Sequence, residues 1–124
     1  MRFLTIYTPD TEQTRRNEAG VPPTAQEMEQ MGKLIEDMAK AGVFLSAEGC
    51  APSSKGARVR LSGGKITVID GPFTESKELI AGFAILQANS KAEVIELTKR
   101  FLKVAGDGTS EIRLLHEESD FAPQ

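Results

Sequence analysis

The sequence predicts an α+β domain in which one antiparallel sheet carries two helices on one of its faces. Strand-like and helix-like patterns follow each other in the order β-α-β, a hairpin, then β-α-β. Two such split units form this kind of sheet. The chain has 124 residues, which suits a single domain over residues 1–124.

The first strand is predicted over Arg2 to Thr8 from its alternating side chains. Phe3 and Tyr7 point to one face, and Leu4 and Ile6 point to the other. Because apolar groups occupy both faces of this strand, we expect both faces of the sheet to be covered.

The stretch from Pro9 to Pro23 is polar, contains several prolines and shows no apolar periodicity. It predicts a loop that is long for a domain of this size. We expect this loop to be the most mobile internal segment.

Two amphipathic helices are predicted, each opened by a capping box. Thr24 and Glu27 begin the first, which ends at Gly42, and its apolar stripe is Met28, Met31, Leu34, Ile35 and Met38. Ser90 and Glu93 begin the second, which ends at Gly106, and its apolar stripe is Val94, Leu97, Phe101 and Ala105.

Five further strands and one helical turn complete the predicted elements. Ser62-Gly63-Gly64 joins the two strands of the hairpin, since glycine tolerates positive φ. The turn is predicted over Thr74–Leu79, and the strands over Val43–Glu48, Arg58–Leu61, Lys65–Ile69, Gly82–Ala88 and Glu111–Glu117. The whole pattern is ferredoxin-like, and it leaves the sheet face opposite the helices bare in a monomer. We therefore expect a homodimer that buries more than about 1,000 Å².

Composition argues against several classes of function. The formal net charge is −3 and no basic stripe is present, so we expect no nucleic-acid partner. No apolar run is long enough to span a membrane. One cysteine cannot form an internal disulfide, and no Cys/His spacing matches a zinc site. These features favour a cytoplasmic protein with no metal and no cofactor.

The run Asp70-Gly71-Pro72-Phe73-Thr74-Glu75-Ser76-Lys77-Glu78, followed by Gly82-Phe83, resembles the DGPF signature of the YciI-related (YCII) family. The Gly-Gly hairpin and the preceding Glu48-Gly49, Pro52 and Arg58-Val59-Arg60 also fit that family. The resemblance implies a dimeric α+β barrel, in which two ferredoxin-like sheets face each other around a cleft.

The resemblance does not supply a catalytic residue. Some relatives carry a His-Asp pair proposed as an acid/base site, with the histidine in the first half of the chain. The only histidine here is His116, in the last predicted strand, so that proposal does not transfer to this chain. Relatives of the DGPF branch are often encoded beside extracytoplasmic-function sigma factors, which implies a sigma factor as a candidate partner.

Two carboxylates are candidate acid/base groups. Asp70 is a candidate base, or a ligand for a donor group, and the alternative is that its carboxylate accepts backbone N–H bonds from the turn. Glu48 is predicted to point into the partly covered face with Phe44 and Ser46. Desolvation would raise the pKa of Glu48 there unless Arg58 or Arg60 neutralises it. The predicted ligand-binding set is Glu48, Asp70, Phe73, Glu75 and Lys77, with Lys77 able to pair with Asp70.

Three functions are compatible with these residues. The first is a homodimer that binds a small molecule in a cleft near the DGPF run. The second is an enzyme that uses Asp70 or Glu48 as acid or base on a small organic substrate. The third is a regulatory protein that contacts a sigma factor.

Overall fold

The structure is a computed structural model that describes residues 1–75 and 78–121. Its helices are α1 (Thr11–Glu18), α2 (Ala25–Lys40) and α3 (Lys91–Ala105). Its strands are β1 (Arg2–Pro9), β2 (Phe44–Gly49), β3 (Ala57–Ser62), β4 (Lys65–Asp70), β5 (Gly82–Gln87) and β6 (Gly108–Leu114).

Four strands form the main antiparallel sheet in the order β2-β5-β1-β6, and β3 and β4 form a separate two-stranded hairpin. This order is that of two interlocked β-α-β units, so the predicted α+β, ferredoxin-like fold is confirmed. The hairpin turns at Gly63 and Gly64, whose φ angles are +57° and +80°. Both glycines of the predicted turn therefore use the positive φ that favours this residue.

The core lies between the sheet and the helices α2 and α3. Phe3 on β1 and Val94 on α3 are the most deeply buried large side chains, at 2% and 0% exposure. The other members of this core cluster are Leu34, Met38, Val43, Leu86 and Ala88, and Tyr7 is buried as well. Met28, which was expected in the stripe of α2, is 62% exposed, because it lies in the first turn of the helix, away from the buried positions.

The two predicted capping boxes differ in completeness. Thr24 and Glu27 form both reciprocal bonds at the start of α2. At α3 the Ser90 hydroxyl accepts from the backbone N–H of Glu93, but the Glu93 carboxylate accepts from the N–H of Asn89 instead of that of Ser90. The helix starts were nonetheless predicted correctly.

The predicted Pro9–Pro23 loop is wrong, because α1 occupies most of it. Asp10 caps this helix by accepting from the N–H of Gln13 at 2.9 Å. Gln13 also donates to Asn17, and Thr14 is buried and donates to the carbonyl of Pro9. Capping and side-chain hydrogen bonds stabilise this polar helix, which has no apolar stripe that would predict it.

The last strand and the turn after the DGPF run also differ from expectation. β6 begins at Gly108, opposite Pro9, and ends at Leu114, so it both starts and ends three residues before the predicted Glu111–Glu117. In the predicted Thr74–Leu79 turn, the N–H of Glu78 donates to the carbonyl of Glu75 at 2.9 Å. Ser76 and Lys77 lie outside the described residues.

Across residues 1–75 and 78–121, no helix combines the length and the apolar character needed to cross a membrane.

Candidate ligand site on the open sheet face

The sheet face that points away from α2 and α3 is called the open face here. Its centre consists of Leu4 and Ile6 on β1 and Phe83 and Ile85 on β5, which are neighbours in the register Leu4↔Ile85 and Ile6↔Phe83. All four side chains are partly exposed. An apolar strip therefore runs along the two central strands on a face that no helix of the described chain covers.

A carboxylate lies on each side of this apolar strip, one on β2 and one on β6. In the register, Glu48 of β2 lies opposite Phe83, and Glu111 of β6 lies opposite Ile6. One cross-strand row thus reads carboxylate, aromatic, aliphatic, carboxylate, since residues opposite each other share a face.

Glu48 lies on this face because of an irregularity in β2, and not because of the simple alternation predicted from the sequence. The register of β2 shifts between Phe44 and Ser46, which is the signature of a β-bulge. Phe44 therefore packs toward the core, whereas Ser46 and Glu48 lie on the open face. The expected alternation of Phe44 with Ser46 and Glu48 is wrong because the bulge inserts one extra residue.

A shallow depression of about 470 Å³ lies at one end of the open face. Its residues come from β1, from β6 and from the segment that precedes β5; they are Ile6, Thr8, Thr109, Glu111, Glu78 and Ile80. The floor is apolar, and the polar groups are two hydroxyls and two carboxylates.

Each of the two carboxylates in the depression forms an ion pair with an arginine. Glu78 Oε2 lies 3.3 Å from a guanidinium nitrogen of Arg58, and Glu111 Oε2 lies 3.2 Å from one of Arg113. All four side chains are between 44% and 70% exposed. These pairs are therefore open to solvent and contribute little to stability, and their carboxylates are two hydrogen-bond acceptors on the lining of the depression.

The DGPF segment, Asp70–Glu75, passes close to the 3₁₀ turn Ser53–Lys55. The N–H of Gly71 donates to the carbonyl of Gly56 at 3.0 Å, and the Gly71–Pro72 peptide bond is cis. A Cβ on Gly71 would lie 1.7 Å from the carbonyl oxygen of Ser53. Only glycine allows this approach of the two backbones.

Ser53 links the DGPF segment to α1. Its hydroxyl donates to one carboxylate oxygen of Glu18, and its N–H donates to the other at 2.7 Å. The same hydroxyl accepts from the N–H of Phe73 at 2.9 Å. Glu18, Ser53 and Phe73 are all partly buried, so this bridge ties three segments that are distant in sequence.

Arg58 connects the segment to the depression. Its guanidinium carbon lies 3.8 Å from the centre of the Phe73 ring, a cation–π contact. The same guanidinium pairs with Glu78. The phenylalanine of the DGPF run thus helps to position a carboxylate that lines the depression.

The predicted site residues do not all come together. Asp70 ends β4 with an exposed side chain, and no group of the described chain donates a hydrogen bond to its carboxylate. Glu75 is exposed, Glu48 lies at the far side of the open face, and Lys77 lies outside the described residues. Among the described members of the predicted set, Phe73 is the one connected to the depression. Its ring packs against Arg58, and Arg58 pairs with Glu78 of the lining.

The residues that line the depression were not predicted from the sequence. Thr109 and Glu111 lie on β6, where they alternate with Ser110 and Ile112. That alternation is visible in the sequence, but which strand neighbours β1 depends on the sheet order. His116, the only histidine of the sequence, lies beyond β6, with a 75% exposed side chain paired with Asp120.

Within the described ranges, no three side chains among His, Cys, Asp and Glu group closely enough to hold a metal ion.

The fold and the site define an α+β domain with an open, partly apolar sheet face beside a DGPF segment. A family model for the YCII-related domain matches residues 1–117. The chain belongs to the YCII-related family, as its DGPF run indicated.

Among solved structures, the chain is similar to 5-chloro-2-hydroxyhydroquinone dehydrochlorinase (TftG) from Burkholderia phenoliruptrix AC1100, in complex with 2,5-dihydroxybenzoquinone. The two are 14% identical, with a TM-score of 0.48, and the match covers 97% of this chain and 98% of that chain. No curated protein matches this chain.

Proposed function

We propose that this YCII-related protein binds a small molecule in the depression on its open sheet face. The observation that supports this proposal is the volume of the depression together with the character of the residues that line it. Ligand pockets typically measure about 300–1,000 Å³ and carry a few placed polar groups on an apolar surface. The depression, at about 470 Å³, has this character.

The lining also indicates the chemistry of the ligand. Glu78 and Glu111 are its ionisable groups, and an ionised carboxylate only accepts hydrogen bonds. Thr8 and Thr109 add hydroxyls that donate or accept. The ligand we propose therefore has a small apolar body that rests on Ile6 and Ile80, and hydroxyl or ammonium groups that donate to the carboxylates.

The experiment is a fragment screen by NMR on the ¹⁵N-labelled protein, with phenols, aromatic amines and aliphatic amines as probes. Hits should shift the amide signals of Ile6, Thr8 and Thr109. Glu111→Gln should weaken those hits about tenfold or more, because a hydrogen bond to a charged group contributes about 1.5–3 kcal/mol.

The matched control is Glu96→Gln. Glu96 is also an exposed glutamate in an ion pair, with Lys99, but it lies on α3, away from the open face. Its variant should bind the hits like the wild type. Hits that shift only residues on α2 and α3, or that bind Glu111→Gln unchanged, would refute the proposal.

A further inference from the structure

Arg58 on β3 carries a positive charge to the edge of the depression. Its guanidinium stacks on the ring of Phe73, 3.8 Å from the ring centre, and one of its nitrogens lies 3.3 Å from Glu78 Oε2. A guanidinium that stacks on an aromatic face keeps the N–H donors at its edge free for a carboxylate. Both contacts can therefore be made by the same side chain at the same time.

The ring on which Arg58 stacks is itself anchored. The N–H of Phe73 donates to the Ser53 hydroxyl at 2.9 Å, and that hydroxyl donates to the Glu18 carboxylate. Ser53 and Phe73 are both partly buried. Attraction between a guanidinium and an aromatic face adds to this support. Arg58 thus packs on an anchored ring beside Glu78, rather than extending freely from the hairpin.

The charges of the two carboxylates in the lining are matched by two arginines. Glu78 and Glu111 line the depression, and Arg58 and Arg113 are their respective partners. Arginine does not lose its proton in proteins, so this match does not depend on pH near neutrality. Two unpaired carboxylates would attract a cation. Paired carboxylates still accept hydrogen bonds through their remaining lone pairs, but the two pairs offer a cation no net negative charge.

We propose that Arg58 sets the charge of the ligand that the depression binds. By neutralising Glu78 it makes the lining select neutral ligands with hydroxyl groups over ammonium ligands of the same shape. An ammonium group loses more hydration free energy than a hydroxyl when it leaves water, and the guanidinium beside the carboxylate repels it. Arg58 lies outside the lining and acts through Glu78, so it is a positioning residue.

This inference rests on the proposed function and narrows the ligand class given there. It also gives the phenylalanine of the DGPF segment a role in binding, because the Phe73 ring supports the arginine that neutralises the lining.

The test compares two probes of nearly the same shape, benzyl alcohol and benzylammonium. The measured quantity is the Kd of benzylammonium divided by the Kd of benzyl alcohol, from the amide shifts of Ile6, Thr8 and Thr109 in the ¹⁵N-labelled protein. In the wild type benzylammonium should bind more weakly, so the ratio exceeds one. Arg58→Gln should lower the ratio about two- to fivefold, the size of one exposed ionic interaction. Arg58→Lys keeps the charge and should keep the wild-type ratio.

Two further variants separate charge from shape. Glu78→Gln should raise the ratio about two- to fivefold, again the size of one exposed ionic interaction, and the double variant Arg58→Gln/Glu78→Gln should restore the wild-type value. The shift in Arg58→Gln should shrink between about 0.1 and 1 M salt, because the Debye length falls from about 10 to 3 Å. A rearranged fold would not produce this pattern.

The matched control is Arg100→Gln. Arg100 on α3 is also an exposed arginine in an ion pair, with Asp37 on α2, away from the open face. Its variant loses the same charge and should keep the wild-type ratio. Exposed pairs contribute little to stability, so the amide spectra of the variants should match that of the wild type outside the depression.

The outcomes distinguish this inference from the proposed function. Probes that shift no amide of the depression in the wild type would overturn the proposed function and this inference with it. Probes that bind there with the same ratio in wild type and Arg58→Gln would overturn this inference alone. A wild-type ratio below one, or a ratio lowered by both Arg58→Gln and Glu78→Gln, would also overturn this inference and leave binding in the depression intact.

Discussion

Among the glycines of the described chain, Gly71 is the one at which an added Cβ would make the shortest contact. A Cβ at this position would overlap the Ser53 carbonyl, so Gly71→Ala must push the DGPF segment away from the 3₁₀ turn. We expect a loss of about 1–3 kcal/mol in unfolding free energy, the range for forced overpacking. The matched control is Gly32→Ala, an exposed position inside α2 where a Cβ meets nothing within 4 Å. That variant should gain about 0.5–1 kcal/mol, and urea denaturation of both variants measures the contrast. Equal stabilities would contradict the close approach.

Asp70 was the most prominent candidate in the sequence, and its carboxylate accepts no hydrogen bond within the described chain. We therefore expect Asp70→Ala and Asp70→Asn to change unfolding free energy by no more than about 0.5 kcal/mol, as for other surface substitutions. Asp10→Ala is the comparison, because Asp10 caps α1 and its loss should cost about 0.5–2 kcal/mol. A similar cost for Asp70→Ala, with less for Asp70→Asn, would show that Asp70 holds the turn.

Tyr7 is a buried hydroxyl whose titration can be followed directly, since it is the only tyrosine and the chain has no tryptophan. Its hydroxyl donates to the carbonyl of Gly106 at 2.9 Å. Burial raises the pKa of Tyr7 above 10.0, and the negative charges of Asp10 and Asp107 raise it further. Tyrosinate absorbance in the folded protein should therefore have its midpoint above the ordinary value.

The same shift predicts how stability depends on pH. A raised pKa in the folded state means that the neutral hydroxyl is favoured by folding. Its contribution is fully present below the unfolded pKa of about 10 and is lost as pH rises through the higher folded value. Wild type should thus lose more stability than Tyr7→Phe across this alkaline range. Parallel pH profiles for the two proteins would contradict the burial of this hydroxyl.

Among the secondary-structure elements, α1 shows what apolar periodicity fails to detect. Its eight residues contain no large apolar side chain, so period analysis predicts a loop. The available signal was local: Asp10 with Gln13 three residues later is a capping pattern. The contact of Glu18 with Ser53 spans 35 residues and had no signal in the sequence. Tertiary hydrogen bonds of this kind replace the apolar burial that supports α2 and α3.

The bridge from Glu18 through Ser53 to Phe73 should therefore control the stability of α1. Ser53→Ala removes the hydroxyl that donates to one Glu18 carboxylate oxygen and accepts from the N–H of Phe73, whereas the N–H of residue 53 still donates to the other carboxylate oxygen. We expect a cost of about 1–3 kcal/mol, because the part-buried N–H of Phe73 loses its acceptor. A double-mutant cycle with Glu18→Ala should give a coupling energy of about 0.5–3 kcal/mol, since the two side chains are in contact. Ser54→Ala, at the exposed neighbouring serine, should lie within about 0.5 kcal/mol of wild type. Hydrogen exchange should show α1 protected in wild type and in Ser54→Ala but opened in Ser53→Ala; an unprotected α1 in wild type would contradict the bridge.

At the level of the whole molecule, the sequence predicted the order of the elements and the two-helix face better than it predicted the site. Alternation along β1 and the helical stripes reports local burial, which is why Phe3 and Val94 are in the core as expected. The depression depends on which strands are neighbours and on the segment that crosses them, and these are properties of the assembled sheet. The bulge in β2 shows the limit clearly, since one inserted residue sends Phe44 and Glu48 to opposite faces.

The apolar open face of the sheet predicts how the stability of the molecule depends on concentration. If folding includes association of two copies, mass action stabilises the folded state as the protein concentration rises. We expect the Tm of the wild type to rise by about 3–6 °C per tenfold increase in concentration, from about 1.4 kcal/mol per tenfold and the Tm sensitivity of an assembly of this size. Differential scanning calorimetry over a hundredfold range of about 1–100 µM measures this dependence. A wild-type Tm that is independent of concentration would mean that the single chain folds with its apolar open face exposed, against the dimer expected from the sequence.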